Sequence, residues 1–233
     1  MLPGDIPRGS PPLPDVCPAA AMRKIGIELA RRVRETLLRL RHPGRRFNCQ
    51  DQSNRSWELR AEEAVRLFAR CSARAHAGTR HLQVGDFACG NERLRPLLER
   101  ELGPIFDYHG FDLHPQSPSV QRLDLSRDIP ARHFDAVFCL GILEYLPDVP
   151  AFAARLRSVC QLAVVSYAIS DGSEALLPSE RRARSWLNHF TQLDVENIFA
   201  RAGFVKGAFV RTNLGKTGLW VWSTEEKQGS SLV

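Results

Sequence analysis

Short apolar runs alternate with longer amphipathic stretches from about residue 82 to residue 223. Short runs rich in Val, Ile, Phe and Leu, bounded by polar or glycine-containing turns, are typical of buried strands. The pattern therefore predicts seven strands: the run that ends at Asp86, and the runs 106–111, 120–123, 134–140, 162–167, 204–210 and 218–223.

Between these runs, apolar residues recur at helical spacing. We predict helices from about Glu92 to Leu102, from about Val149 to Val159, and from a Thr191 capping box to Ala202. Strands that alternate with helices predict an α/β fold in which a parallel sheet is covered on both faces. The turn between the last two strands predicts a hairpin, so the last strand is expected to be antiparallel to the others.

The N-terminal third is more basic than the rest of the chain. It contains a predicted helix at about 22–41 whose arginines lie opposite an apolar face, and a second helix at about 57–75. The basic helix could present a solvated face, or contact an anionic membrane surface or an acidic partner. No aromatic residues are interleaved with its arginines, which argues against nucleic-acid binding.

These patterns divide the chain into four parts. The proline-rich start predicts a disordered tail, because it has too few apolar residues to bury. A helical cap, the α/β domain and a short C-terminal tail follow. The predicted parts are residues 1–21, 22–78, 79–226 and 227–233.

Composition narrows the class of protein. The chain is 43% hydrophobic and 25% charged, as in globular proteins, and no apolar run reaches the roughly 20 residues that span a bilayer. No apolar core of a secretory signal is present at the start, so a cytoplasmic location is expected. The six cysteines form no C-x-x-C pair, which favours reduced thiols and predicts no metal site.

The loop after the first predicted strand has small residues where a ligand would approach. It contains Ala88 and Gly90 and leads towards the helix expected at Glu92, where a carboxylate would suit the helix dipole. In an open parallel sheet, such a loop lies at the carboxyl end of a strand, where ligands bind. The loop lacks most glycines of a dinucleotide fingerprint and has no phosphate-binding Gly-Lys-Ser/Thr.

Two acids follow at the ends of the next two strands. Asp112 lies 22 residues after Gly90, the separation at which a carboxylate can accept both hydroxyls of an adenosyl ribose. Asp124 ends the third strand, where its carboxylate could accept from an adenine amine. We therefore interpret this edge of the sheet as an adenosyl-ligand site.

The order and spacing of four motifs resemble those of class I S-adenosylmethionine-dependent methyltransferases. They are Val84–Asn91, Phe111–Leu113, Leu123–Leu125 and Phe134–Asp148. The resemblance covers about residues 82–223 and is strongest to small bacterial members, including the methionine-biosynthesis W type and those of glycan assembly. It implies a Rossmann-like three-layer sandwich with a seven-stranded, mostly parallel sheet whose last strand is antiparallel.

The resemblance also implies a cofactor, S-adenosyl-L-methionine, across the ends of the first four strands. The cofactor-binding residues that it implies are Asp86, Phe87, Ala88, Gly90, Asp112, Leu113, Asp124, Leu125, Leu140 and Gly141. The chain departs from the family at Ala88 and Glu92, where glycine is usual, and at Tyr145, where histidine is usual.

Methyl transfer requires in-line placement of the acceptor and, for some acceptors, a base. The candidate bases are Glu144, Tyr145 and His189. A small molecule or a sugar or glycan intermediate is the expected acceptor. Two alternatives stay open: a non-catalytic subunit that keeps the cofactor pocket, and an NAD-binding oxidoreductase.

Overall fold

The computed structural model describes residues 55–72, 81–171 and 175–224. The predicted tail 1–21, the basic helix 22–41 and the C-terminal tail 227–233 lie outside the described residues, so the domain division and the contact predicted for the basic helix stay predictions.

A single seven-stranded sheet forms the centre of the described domain. The strands follow the order β3-β2-β1-β4-β5-β7-β6, and each neighbouring pair is parallel except β5–β7 and β7–β6. This topology confirms the predicted fold class, including the antiparallel last strand. The strands are β1 (Leu82–Phe87), β2 (Phe106–Asp112), β3 (Gln121–Arg122), β4 (Phe134–Leu140), β5 (Cys160–Ala168), β6 (Val205–Thr212) and β7 (Thr217–Ser223).

Five α-helices and one 3-10 turn accompany these strands within the described ranges, the first helix preceding β1. They are α1 (Arg55–Ser72), α2 (Arg95–Leu102), the 3-10 turn Leu143–Tyr145, α3 (Val149–Arg157), α4 (Pro178–Ala183) and α5 (Gln192–Arg201). The short helix α4 lies in a connection for which no helix was predicted. Within the described ranges, no helix combines the length and apolarity needed to cross a membrane.

Strand β4 shows why the sheet is covered on both faces. All seven of its residues are buried. Val137 and Cys139 pack in one core with residues of α3 and α5, whereas Ala136 and Phe138 pack in a second core with residues of α1 and α2. Because successive side chains of a strand point to opposite faces, a continuous apolar run supplies both cores.

The start of α5 confirms the predicted capping box. The Thr191 hydroxyl accepts from the Asp194 backbone N–H at 3.1 Å, and the Asp194 carboxylate accepts from the Thr191 backbone N–H at 2.9 Å. These two bonds satisfy N–H groups that the first turn of a helix leaves without partners. They place the start of the helix where the sequence predicted it.

The parallel strands end at a common edge. Strand β1 pairs with β2 on one side and with β4 on the other, so the chain order reverses between β1 and β4. Ligands of open α/β sheets bind at such a switch point, outside the carboxyl ends of the strands.

Candidate active site

A cavity of about 540 Å³ opens at this edge of the sheet. Its walls are formed by the loops after β1 to β4, by the end of β5, by α1, by the segment after α4 and by the β6–β7 turn. Four carboxyl side chains line it: Asp86, Asp112, Asp124 and Glu144. The cavity is therefore suited to a ligand that carries hydroxyl groups or positive charge.

The loop after β1 has a left-handed backbone at three alternate residues. The φ angle is 63° at Ala88, 56° at Gly90 and 59° at Glu92. Glycine adopts this conformation without strain, whereas a residue with a β-carbon does so at a cost of about 1–2 kcal/mol. The loop thus keeps a glycine-type conformation at both positions where the sequence departs from the family.

Glu92 corrects the prediction of a helix start. Residue 92 has a positive φ and lies three residues before α2, which begins at Arg95 with a proline in its first turn. The Glu92 carboxylate instead accepts from the hydroxyls of Ser117 and Ser119, at 2.6 and 2.7 Å. Its role in the structure is to join the loop after β1 to the loop between β2 and β3, and not to complement a helix dipole.

Asp112 at the end of β2 is held rigidly beside that loop. Its side chain is buried, and its two oxygens accept from the backbone N–H groups of Gly90 at 2.9 Å and His114 at 2.8 Å. A carboxylate has about four lone-pair positions, so each oxygen can accept one more hydrogen bond from the cavity. This geometry fits the two hydroxyls of a ribose.

Asp86 at the end of β1 is a buried acid with an unusual proton affinity. The Tyr108 hydroxyl donates to it at 2.7 Å. Burial raises the pKa of Asp86, the negative charges of Asp112 and Glu92 add to this effect, and the hydrogen bond from Tyr108 opposes it. The net result is a pKa of about 7 in place of 3.8. Positive charge in the cavity would favour the ionised form.

Asp124 is more exposed than the other acids and forms a local turn. One of its oxygens accepts from the backbone N–H and the hydroxyl of Ser126, at 3.0 and 2.6 Å. The hydrogen bond from the Ser126 hydroxyl lowers the pKa of Asp124 despite slight desolvation. The carboxylate therefore stays ionised at the cavity wall, next to the buried Leu125.

The chain turns sharply after β4 at Gly141, where φ is 83°. A β-carbon at this position would lie 3.2 Å from a terminal nitrogen of Arg60 on α1, so any larger residue would crowd that guanidinium. Leu140, Gly141 and Arg60 all line the cavity. The glycine lets an arginine of α1 approach the backbone at the switch point.

Glu144 in the 3-10 turn is the most deeply buried of the cavity acids, with 1% of its surface exposed. Its Oε1 accepts from the Ala168 backbone N–H at 2.8 Å, whereas its Oε2 has no hydrogen-bond partner among the described residues. Burial raises the pKa of Glu144 above its usual 4.5, although the Ala168 N–H and the charge of Arg60 lower it. A carboxyl group in this state is suited to exchanging a proton with a ligand.

The structure does not bring every predicted site residue to the cavity. Tyr145, Leu113, Leu125 and the four acids line it, but Phe87 is buried in the core against Phe111 and Phe134. Gly90 contributes its backbone N–H to Asp112 and is not in the wall itself. The His189 side chain is exposed and lies outside the cavity lining.

Other lining residues were not predicted from the sequence. They are Trp57 and Arg60 on α1, Arg184 and Trp186 after α4, and Asn213 and Thr217 at the β6–β7 turn. The only local signal was a high density of arginine and tryptophan in residues 181–186. Arg184, Trp186, Asn213 and Thr217 lie on the side of the cavity beyond β4, away from Asp112 and Asp124. Trp57 instead packs against Arg93 in the loop after β1.

Comparisons with known proteins agree with this architecture. Residues 56–206 match a family profile described as a methyltransferase domain. A search of curated proteins finds no significant match.

Solved structures show the same fold at low sequence identity. A Burkholderia thailandensis 1,6-didemethyltoxoflavin-N1-methyltransferase is 18% identical with a TM-score of 0.56, and the match covers 96% of this chain and 94% of that one. An Aquifex aeolicus S-adenosylmethionine-dependent methyltransferase is 17% identical with a TM-score of 0.54, covering 76% and 95%. Magnesium protoporphyrin IX methyltransferase from Synechocystis PCC 6803, with bound S-adenosylmethionine, is 17% identical with a TM-score of 0.53, covering 82% and 97%.

Some matched proteins are considerably longer. The chain spans 54% of the length of CalO1, a methyltransferase in calicheamicin biosynthesis, and 60% of the pyocyanin biosynthetic protein PhzM.

Proposed function

Because the chain belongs to the methyltransferase-domain family, we propose that it transfers the methyl group of S-adenosyl-L-methionine to a small molecule or a sugar or glycan intermediate. The family match confirms the predicted family and its cofactor. The observation that supports cofactor binding most directly is Asp112, a buried carboxylate fixed by two backbone N–H groups at the cavity.

The residues at the cavity fit this cofactor. Asp112 would accept from the two ribose hydroxyls, and Asp124 with the backbone of Leu125 would receive the adenine edge. The backbone from Ala88 to Gly90 and the turn at Leu140 and Gly141 would contact the methionine portion. When bound, S-adenosylmethionine supplies an electrophilic methyl group on a sulfonium sulfur.

The charges of the cavity support the same interpretation. Asp86 and Glu144 are nearly buried carboxyls whose pKa values are raised by desolvation. A ligand with positively charged sulfonium and ammonium groups would stabilise their ionised forms and offset part of the free-energy cost of burying these charges. An uncharged nucleoside would not.

The size of the cavity supports a small acceptor. Ligand pockets of about 300–1,000 Å³ enclose a single drug-sized molecule. This cavity of about 540 Å³ would have to hold the cofactor and leave room only for a compact acceptor or one end of a longer one. A sugar residue of a glycan intermediate meets this limit, as does a free metabolite.

Among the three candidate bases, Glu144 is the one that the geometry favours. Its Oε2 has no hydrogen-bond partner in the described part of the chain, and its raised pKa brings proton transfer closer to neutral pH. Tyr145 lines the same cavity and could orient the acceptor. His189, being exposed outside the cavity, has no such support.

The non-catalytic alternative rests on the altered first motif, with Ala88 and Glu92, and on Tyr145 in place of histidine. Ala88 and Glu92 adopt the left-handed conformation that glycine takes without strain, so these two residues do not argue against a working cofactor loop. The family match likewise gives no support to an NAD-binding oxidoreductase.

Isothermal titration calorimetry with S-adenosylmethionine, S-adenosylhomocysteine and NAD tests this proposal. We expect micromolar affinity for the first two ligands and none for NAD. Asp112→Asn should weaken binding by about 10²-fold or more, because it removes the charge from two hydrogen bonds. Asp107→Asn, on the exposed part of the same strand, is the matched control. Binding of NAD alone, or of none of the three, would refute the proposal.

A further inference from the structure

Two polar atoms in the wall beyond β4 lack hydrogen-bond partners among the described residues. They are Oε2 of Glu144 and the indole Nε1 of Trp186, and both are buried from solvent. Buried polar groups in native proteins nearly always have a hydrogen-bond partner. Two such groups without a partner, on residues that line one cavity, therefore indicate that a bound ligand supplies the missing hydrogen bonds. One can accept a hydrogen bond, and the other can only donate one.

The backbone places these two side chains in the same region. The backbone N–H of Leu187, the residue after Trp186, donates to the Glu144 carbonyl at 2.7 Å. Both side chains line the cavity. A single small molecule bound there can therefore contact both residues.

Arg181 holds this wall in place. It is fully buried, and its guanidinium donates to the Tyr167 hydroxyl at 2.6 Å, to the Ala168 carbonyl and to the Asn188 carbonyl at 3.0 Å. The same guanidinium lies 5.0 Å from the centre of the Trp186 ring. These contacts fix the segment after α4 against the end of β5, so Trp186 is held at the cavity wall.

The position of the pair separates it from the proposed ribose and adenine contacts. The proposed ribose and adenine contacts lie at the ends of β2 and β3, on one side of β1. Glu144 follows β4 and contacts the end of β5, on the other side. The orphaned acceptor and donor therefore belong to the half of the cavity where the methyl acceptor would lie.

We propose that the methyl acceptor carries its reacting N–H or O–H group next to a carbonyl oxygen, so that the group donates to Glu144 while the oxygen accepts from Trp186. This inference rests on the proposed function and names its substrate class. Lactams, hydroxyamides and α-hydroxyketones have this arrangement, whereas isolated alcohols, simple amines and thiols do not. Arg184 lies on the same wall and adds positive charge near the carbonyl oxygen.

The reaction balances with Glu144 as the proton acceptor. The nitrogen or oxygen of the acceptor uses its lone pair to form a bond to the methyl carbon. The carbon–sulfur bond breaks, and its electron pair stays on sulfur to give neutral S-adenosylhomocysteine. The proton of the N–H or O–H group passes to Oε2 of Glu144.

Paired acceptor probes test the proposal. The rate of S-adenosylhomocysteine formation would be compared between the two members of three pairs: 2-pyridone and pyrrole, salicylamide and phenol, and acetoin and 2-butanol. The first member of each pair carries the carbonyl group, and methylated products would be identified by mass spectrometry. We expect the carbonyl-bearing member of a pair to be methylated at least about tenfold faster, since one hydrogen bond to a buried donor accounts for that factor.

Two variants assign the contacts. Trp186→Phe keeps an aromatic ring but removes the N–H. It should therefore raise KM about tenfold for the probe that carries a carbonyl group, and leave KM unchanged for the matched probe that lacks one. Glu144→Gln should lower kcat about 10²-fold. It should also abolish the increase of kcat with pH that ionisation of Glu144 would produce. Trp222→Phe is the matched control. The Trp222 indole N–H also has no hydrogen-bond partner in the described part of the chain, but Trp222 lies in the core outside the cavity.

The outcomes separate this inference from the function on which it rests. If S-adenosylmethionine binds but no carbonyl-bearing probe is methylated in preference to its partner, the acceptor class is overturned and the cofactor assignment stands. The same holds if Trp186→Phe and Trp222→Phe have equal effects on KM. If S-adenosylmethionine does not bind at all, the proposed function itself fails.

Discussion

Replacing Asp86 by asparagine should stabilise the protein while weakening its cofactor site. Asparagine has nearly the same shape, and its side-chain oxygen can still accept the hydrogen bond that the Tyr108 hydroxyl gives at 2.7 Å. The change removes a carboxyl group that is 4% exposed and whose ionised form is disfavoured by burial. Active-site groups of this kind commonly lower the stability of the free protein.

The magnitude follows from the shift in pKa. The pKa of Asp86 rises from 3.8 to about 7 on folding, and one unit corresponds to 1.36 kcal/mol. The folded protein holds the proton that the unfolded chain has lost between about pH 4 and pH 7, so stability falls as pH rises through this window and is constant above it. Asparagine does not titrate. The free energy of unfolding of the Asp86→Asn variant should therefore exceed that of the unchanged protein by about 2 kcal/mol at pH 5 and by about 4 kcal/mol at pH 8.

Urea and thermal unfolding at the two pH values measure this difference. For a chain of this length, 4 kcal/mol corresponds to a rise in Tm of roughly 10 °C, against roughly 5 °C at pH 5. Glu101→Gln, on the exposed surface of α2, neutralises a carboxylate without burial and should shift Tm equally at both values. If Asp86→Asn gives no stabilisation, or the same stabilisation at pH 5 and pH 8, the argument from burial is refuted.

Two further predictions concern the same loop. Ala88→Gly should change the unfolding free energy by less than about 0.5 kcal/mol, because relief of the left-handed conformation offsets the extra entropy of the unfolded chain. As a control, Ala153→Gly in α3 should lower the free energy of unfolding by about 1 kcal/mol. If urea titrations show an equal loss of stability for Ala88→Gly, the positive φ at residue 88 is contradicted. Burial raises the pKa of Cys89, which keeps the thiol protonated at pH 8. Iodoacetamide should therefore label Cys89 more slowly than the half-buried Cys71, as followed by peptide mass spectrometry; equal rates would argue against this environment.

The cofactor side of the cavity was predictable from the sequence because its determinants are local. Each acid lies at the end of a strand that the apolar pattern identifies, and parallel strands end at one edge of the sheet. Asp112 and Asp124 could therefore be placed together without knowledge of any side-chain contact. Phe87 was misplaced because a strand-end residue can point either to the cavity or to the core, and the strand period alone did not decide between them.

On the proposed acceptor side, the sequence predicted Glu144 and Tyr145 but not Trp186, because long-range contacts bring Trp186 to the cavity. Trp186 reaches the cavity only because Arg181 binds the end of β5 and Leu187 binds the backbone at Glu144. The start predicted for α2 at Glu92 was wrong for a related reason, although the helix itself is present from Arg95 to Leu102. The partners of that carboxylate are Ser117 and Ser119, which lie in a loop 25 and 27 residues further along the chain. Pairings over such separations leave no periodic trace in the sequence.

The two non-glycine residues with a left-handed backbone in the β1 loop have a consequence for how the proposed cofactor site can be recognised. A loop built from glycines samples many backbone states and must give most of them up when a ligand is bound. Ala88 and Glu92 have fewer states available before binding, so the loop loses less conformational entropy on association. The feature that identifies this site is the left-handed backbone conformation at residues 88, 90 and 92. The residue types at these positions can differ from glycine as long as the fold maintains that conformation.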